Sequence, residues 1–389
     1  MTSSPQAEPI VSNEPGSFPW GVLTKRHPQL IETVRRQLPY PPATQEALDS
    51  LLRTLDRAVP PLEPGACDHQ KWQDWSAPYL GMRWVDAPFL WAESYFYRLL
   101  LCATDYFESG PWSGVDPFAP QKNAELETPE LSRDLGALDR LVEAPGEVGL
   151  SAALSAALWG NRADLGFRIS DPSAQERQQV EDLVADDSSL VPPLLDSRPA
   201  GQVHLIADNA GRELVADLVL IDRLLVTGRA AEVTLHLKPY PYYVSDATTQ
   251  DLLMVLRRMH AAGGAADDIA TRLAANIRDG QLRVQTHGFW CSPLTFHDLP
   301  GDLTAELASA RLVIIKGDLN YRRLVGDAHW APTTAFTDLT SYFPAPLLAL
   351  RTLKSDVAVG VNSERLARLE SSAPGWRTDG THAVIHARP

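Results

Sequence analysis

Three polar clusters follow three short apolar runs in the C-terminal half of this sequence, and their residue types define a chemistry. Asp208 and Asn209 come directly after "VHLIA", Asp246 closes "YYVSD" a few residues beyond "EVTLHLK", and "KGDLNYR", Lys316 to Arg322, follows "RLVII". A lone acid at a strand end is often the cap of the next helix, and for Asp246 taken singly that reading stands level with a functional one. Two acids with a neighbouring amide are harder to dismiss. Carboxylates held close repel, and the usual remedies are a shared proton or a divalent cation. Asn209 favours the cation, because a carboxamide offers a carbonyl oxygen to a metal but has no titrating proton to share. An all-oxygen donor set without His or Cys suits Mg²⁺ or Mn²⁺ over zinc or copper. Asp208, Asn209 and Asp246 are therefore the expected metal ligands and catalytic residues. They leave coordination positions for water and a phosphate oxygen, the arrangement of metal-assisted hydrolysis.

Lys316, Arg322 and Lys354 can supply the positive charge that a phosphoryl group needs as it transfers. Gly317 lets the backbone approach a ligand closely, and Asp318 and Asn320 can hydrogen-bond sugar hydroxyls. The alternative for "KGDLNYRR" is a helix N-terminal turn with solvated basic residues, and Lys354 alone reads as a surface lysine. Glu93 and Arg98 in "WAESYFYR" lie about one helical turn apart. They form either a buried ion pair bracing a helical domain, or a pair whose Glu93 faces the crevice and touches substrate. Trp159, Asn161, Arg162 and Asp164 read as structural.

The elements that must position these residues change character near residue 199. Residues 1–17 are polar and Pro- and Ser-rich, which predicts disorder. Residues 18–198 read as a mainly helical domain, with helices in "TQEALDSLLRTLDRAV", "PFLWAESYFYRLLLCATDYF", "GEVGLSAALSAALWGNRADL" and "SAQERQQVEDLVADD". From 199 to 389, "QVHLIA", "EVTLHL", "LRVQTH", "RLVIIK" and "LLALRT" alternate with helical stretches. That rhythm marks a parallel sheet covered on both faces, a Rossmann-like three-layer α/β/α sandwich behind an N-terminal helical domain. Ligands in such sheets bind beyond the carboxyl ends of the strands, where all three clusters fall.

Composition narrows the partners. The 389 residues carry a net charge of −14, and no basic stripe with interleaved aromatics occurs, so a nucleic-acid partner is not expected. No apolar run reaches the ~18–20 residues of a membrane helix, so no membrane partner is expected either. The start of the chain lacks the basic and apolar regions of a signal peptide. Three isolated cysteines, Cys67, Cys102 and Cys291, form neither a disulfide framework nor a zinc knuckle, which makes a reducing, cytoplasmic setting the expectation. Nothing in the sequence speaks to oligomeric state.

The stretches "DNAGRELVADLVLIDRLL", "VSDATTQD", "KGDLNYRRLVGD" and "LRTLKSDVAVG" resemble the metal-dependent damage-control phosphatases of small phosphorylated metabolites. Arg351-Thr352-Leu353-Lys354 resembles the motif of the Arg-Thr-x-Lys branch, whose members are also described as acidic-residue, or protein-glutamate, O-methyltransferases. The likeness continues upstream through "WAESYFYRLL", "DPFAPQK" and "LWGNRADL", where Gly166 stands in place of the usual serine. It implies a Rossmann-like fold and a Mn²⁺, Co²⁺, Ni²⁺ or Mg²⁺ ion on Asp208, Asn209 and Asp246. It also implies substrate contacts from Asp318, Leu319, Asn320, Tyr321 and Arg322 and from Lys354. Glu213 matches a position linked to the methyl-donor site, although an acid there also suits the first turn of a helix. Phosphate release from fructose 1-phosphate, fructose 6-phosphate or a dedicated biosynthetic intermediate is the implied activity, attacked by water or by Asp246. S-adenosylmethionine-dependent methylation of a protein glutamate is the alternative. Against it, "DNAG" offers a single glycine, and a sulfonium donor gains nothing from a nearby cation.

Overall fold

The computed structural model describes residues 7–143, 146–160, 182–196 and 200–389. Seven strands form one sheet: β1 (Leu183–Asp186), β2 (Gly201–Ile206), β3 (Ala230–Leu237), β4 (Leu282–Thr286), β5 (Leu312–Lys316), β6 (Leu347–Thr352) and β7 (Ala383–Arg388). Their order is β1-β7-β6-β5-β2-β3-β4. All neighbours pair parallel except β6 and β7. From β2 the chain steps outward to β3 and β4, then returns across β2 to β5. The reversal makes the carboxyl end of β2 a topological switch point, where the sheet opens a crevice.

Period-two alternation sends successive side chains to two cores. Leu312 and Ile314 join Val203 and Leu205 in the core under the helices Pro129–Glu143, Gly146–Trp159, Gly211–Val226, Thr249–Ala262 and Gly264–Asp279. Val313 and Ile315 join Ile206 in the opposite core, with Leu303 and Leu307 of the Gly301–Ala308 helix. Helices on both faces complete the expected sandwich. A third core lies among the N-terminal helices, around Trp72, Trp84, Tyr95 and Phe96. Helix Phe89–Ala103 crosses it buried on nearly all sides, its charged Glu93 and Arg98 included. The helical region thus divides: most buried side chains through Phe118 build their own core, although Val22 and Phe89 join a sheet core, whereas those from Leu126 onward pack on the sheet.

Three expectations change. Of the segment expected to be disordered, residues 7–17 are ordered, because Ile10 is buried and its backbone bonds Asp327 and Phe89. Residues 1–6 lie outside the described residues. The helix expected in "SAQERQQVEDLVADD" lies mostly outside them too, but its end, Leu183–Asp186, is strand β1. Val184 supplies the reason, filling the sheet core beside β7. The antiparallel β7 breaks the all-parallel reading.

His27 gives the N-terminal helices a measurable signature. Its ring stacks on Phe96 at 3.8 Å with both nitrogens buried and unpartnered. Burial, with the positive charge of Arg26 second, lowers its pKa to about 3. Folding therefore excludes a proton that the unfolded chain takes up below about pH 6.5, and stability falls as pH drops from there. His27→Phe is expected to raise the unfolding free energy by about 2 kcal/mol more at pH 5 than at pH 8. Urea unfolding at both pH values measures this, and an equal effect at the two would contradict it.

Candidate active site

The three sequence clusters follow β5, β2 and β3, which are adjacent in the sheet. At the end of β2 the ladder runs one residue further, Ala207 N donating to the His236 carbonyl at 3.1 Å. The chain then meets the segment after β3. Ala247 N donates to Asp208 O at 2.8 Å, Ala210 N donates to Ser245 O at 2.7 Å, and Asn209 and Asp246 form an antiparallel bridge. Backbone pairing thus sets the second acid beside the first acid and the amide.

All three side chains are buried. Asn209 Nδ2 donates to Asp208 Oδ2 and to Glu213 Oε2, both at 2.9 Å. These two carboxylates fix the amide, whose Oδ1 accepts from Ser245 Oγ and keeps a second lone pair. Asp246 Oδ2 accepts from Tyr243 N at 3.1 Å and lies 3.9 Å from Lys238 Nζ. Asp208 Oδ1 is buried with no hydrogen-bond partner among the described residues. Burial, then the negative charges of Glu213 and Asp246, hold the Asp208 carboxyl well above the usual carboxylate range. Burial raises Asp246 as well, opposed first by Lys238. Gly317, at φ +82°, passes so close that a Cβ would sit 1.9 Å from Asp208 Oδ2. Only glycine fits there, on steric and conformational grounds together.

The "KGDLNYRR" segment folds as helix Asp318–Val325, and its polar side chains are spent on structure. Lys316 is buried, with Nζ 3.3 Å from Glu213 Oε1 and 3.1 Å from Asp217 Oδ1. The two acids raise its pKa against the opposing effect of burial. Arg322 is buried too, clamped by both oxygens of Asp327 at 2.8 and 3.0 Å and by Glu93 at 3.0 Å. Neither cation is solvated. Asn320 Nδ2 ties the Ala207 and Lys316 carbonyls together, Tyr321 bonds His386 in the core, and Leu319 packs with Leu90 and Tyr242. Glu93 pairs with Arg322 at 3.0 Å rather than with Arg98, which pairs instead with Asp68 at 2.6 Å. The expected Glu93–Arg98 pair does not form.

Lys354 is the exception. It is exposed, lines a cavity of about 310 Å³, and its ammonium has no hydrogen-bond or ion-pair partner among the described residues. Its backbone N donates to Asp318 Oδ1 at 3.1 Å, and the same oxygen accepts from Arg351 Nε at 2.8 Å and Ser355 Oγ at 3.1 Å. Asp318 and Arg351 therefore act through Lys354 by fixing its loop. Glu213, Trp159, Phe18, Arg26 and Asp379 share the cavity wall. Asn161, Arg162, Asp164 and Gly166 lie outside the described residues.

Several contributors escape a reading of strand ends. Lys122, in "DPFAPQK", is buried and donates to the Asp246 carbonyl at 2.8 Å, to Asp116 at 2.9 Å and to Asp251 at 3.0 Å. Asp251 forms the capping box with Thr248, so Lys122 anchors the loop that carries Asp246. Glu125 accepts from Arg212 N at the start of helix Gly211–Val226. Asp217 had a signal: with Glu213 it forms an i,i+4 acidic pair on an otherwise apolar helix face.

The enclosure of Lys316 by Glu213 and Asp217 has a direct test. Lys316→Met would strand two buried carboxylates, and is expected to lower stability by about 3–5 kcal/mol. Urea unfolding at neutral pH reads the loss. Unchanged stability would show a lysine free to serve a ligand.

The sequence profile of the Damage-control phosphatase ARMT1-like domain matches residues 22–369. The Danio rerio protein named damage-control phosphatase ARMT1 is 31% identical over 366 residues, covering 85% of this chain and 81% of that one. Its Homo sapiens namesake is 32% identical over 331 residues, covering 78% and 75%. Among solved structures, a DUF89 family protein from Pyrococcus horikoshii superposes with a TM-score of 0.52 at 16% identity. That match covers 95% of this chain and 98% of that one, a likeness of fold. With the family profile spanning most of its length, this chain belongs to the ARMT1-like damage-control phosphatase family.

Proposed function

We propose that the protein is a divalent-metal-dependent phosphoric monoester hydrolase of sugar phosphates or related phosphorylated metabolites. Fructose 1-phosphate, fructose 6-phosphate or a dedicated biosynthetic intermediate is the substrate type. The observation that carries the proposal is Asp208 Oδ1, a buried carboxylate oxygen without a hydrogen-bond partner among the described residues, beside the charges of Glu213 and Asp246. Such an atom fits a cation. The donor set agrees, being two carboxylates and an amide carbonyl, which suits Mg²⁺ or Mn²⁺; the family resemblance adds Co²⁺ and Ni²⁺ to the candidates.

Asp208, Asn209 through Oδ1, and Asp246 would hold the ion. When bound, it supplies Lewis-acid polarisation of a phosphoryl oxygen. The remaining work falls to the chain. Glu213, braced by Lys316, holds the amide of Asn209 in one orientation. Lys354, with no side-chain partner among the described residues, faces the cavity to offset phosphate charge, and Asp318 holds its backbone in place. A volume of about 310 Å³, walled by Glu213, Thr352 and Thr378 as well as Lys354, suits a monosaccharide phosphate.

Phosphate release is measured over a panel of phosphorylated sugars with each of the four ions. Wild type is expected to hydrolyse at least one member, and Asp208→Ala none. Gly317→Ala, whose methyl displaces the Asp208 carboxylate, is expected to lose about 100-fold in kcat/KM. Gly326→Ala supplies the control. Its φ of +87° imposes similar strain, but its Cβ would meet nothing nearer than 3.6 Å, so activity should stay within a few-fold of wild type. Equal losses in the two variants, or full activity in Asp208→Ala, would overturn the proposal.

A further inference from the structure

A second group of ligand-type side chains lies within the sheet rather than at its edge. His204 of β2 and His236 of β3 are fully buried and face each other, with His204 Nδ1 2.8 Å from His236 Nε2. Alternation puts His204 on the same face as Ile206, in the core covered by the Gly301–Ala308 helix. From that helix, Glu306 turns its Oε1 to 4.0 Å from His204 Nδ1. One ligand atom from each of the three residues lies within 4.8 Å of the other two. None of the three takes part in the crevice chemistry described above.

We propose that His204, His236 and Glu306 form a second divalent-cation site, one that takes a borderline ion of the Zn²⁺ or Co²⁺ type. Two imidazole nitrogens and a carboxylate oxygen are the donors such ions prefer, in contrast to the all-oxygen set at the strand ends. Neutral imidazole is the ligating form. The hydrogen bond between the two rings explains their own contact but not the placing of Glu306, whose Oε1 lies 4.0 Å from His204 Nδ1, beyond hydrogen-bond reach. A cation among the three accounts for that convergence. Glu306 is 31% exposed, which gives the ion a route from solvent and room for a water as a further ligand. A tetrahedral ion with Zn–N distances of about 2.0–2.1 Å sets two nitrogens about 3.3 Å apart. Loading therefore parts the rings by only about half an ångström and draws Glu306 inward.

The test uses the full chain, stripped by chelation and titrated with Co²⁺. Visible absorption and metal counting by mass spectrometry are the readouts. A four-coordinate site with nitrogen donors gives intense visible bands, whereas an all-oxygen octahedral site gives weak ones. Wild type is expected to take two ions per chain, one with intense bands, and Asp208→Ala to keep that one. Glu306→Gln, at a partly exposed position that folding tolerates, should lose the bands and bind that ion more than about tenfold less tightly. Its circular dichroism should be unchanged. If the crevice holds no ion, wild type takes a single Co²⁺, still with intense bands that Glu306→Gln removes. Absence of the bands in wild type, or their persistence in Glu306→Gln, would overturn the proposal and leave a neutral hydrogen-bonded histidine pair.

Discussion

The balance of charge beneath the crevice is the constraint on which the rest depends. Asp208, Glu213, Asp217 and Asp246 all converge there, and all four are buried. Lys316 answers Glu213 and Asp217 at salt-bridge distance, and Lys238 lies beside Asp246. Asp208 has no such partner among the described residues, and burial, then two neighbouring acids, push its carboxyl upward. A buried, unpaired carboxylate is costly in any fold, and proteins keep one where it has work to do.

Several features read as devices for holding this imbalance in place. The reversal of strand order around β2 brings the ends of β5, β2 and β3 together. Gly317 allows the turn after β5 to pass against the Asp208 carboxylate. Arg351 and Lys354 divide the labour of their motif: the arginine is buried on Asp318, and the lysine is left exposed on the loop that Asp318 fixes. Lys122 joins the N-terminal half to the carbonyl of Asp246 and to the cap of the helix beyond it. This edge of the sheet therefore depends on side chains from well outside the strands that carry it.

Much of this was legible because it rests on local pattern. The five strands β2 to β6 and their covering helices follow from apolar runs and periodicity, and the acid–amide pair stands out by its residue types alone. What stayed hidden was decided by tertiary partners. Strand β1 is four residues long, and in β7 His386 interrupts the apolar alternation because it is buried against Tyr321. Lys316 reads as a crevice cation because its acidic partners, Glu213 and Asp217, lie far away in sequence, and Arg322 because its pairing with distant Glu93 and with Asp327, just beyond its helix, shows only in the fold. Arg98 found Asp68, not its near neighbour Glu93, since helix Phe89–Ala103 turns the two side chains toward different elements. Ile10 ordered a segment whose composition argued for disorder, as a single well-placed apolar anchor can.

The central claim is that Asp208, Asn209 and Asp246 bind a divalent cation at the carboxyl edge of the sheet. Anomalous diffraction from crystals grown with Mn²⁺, recorded on either side of the manganese absorption edge, tests it most directly. A peak is predicted within bonding distance of Asp208 Oδ1, Asn209 Oδ1 and the Asp246 carboxylate. A fully soaked crystal with no peak among those three oxygens would contradict the account.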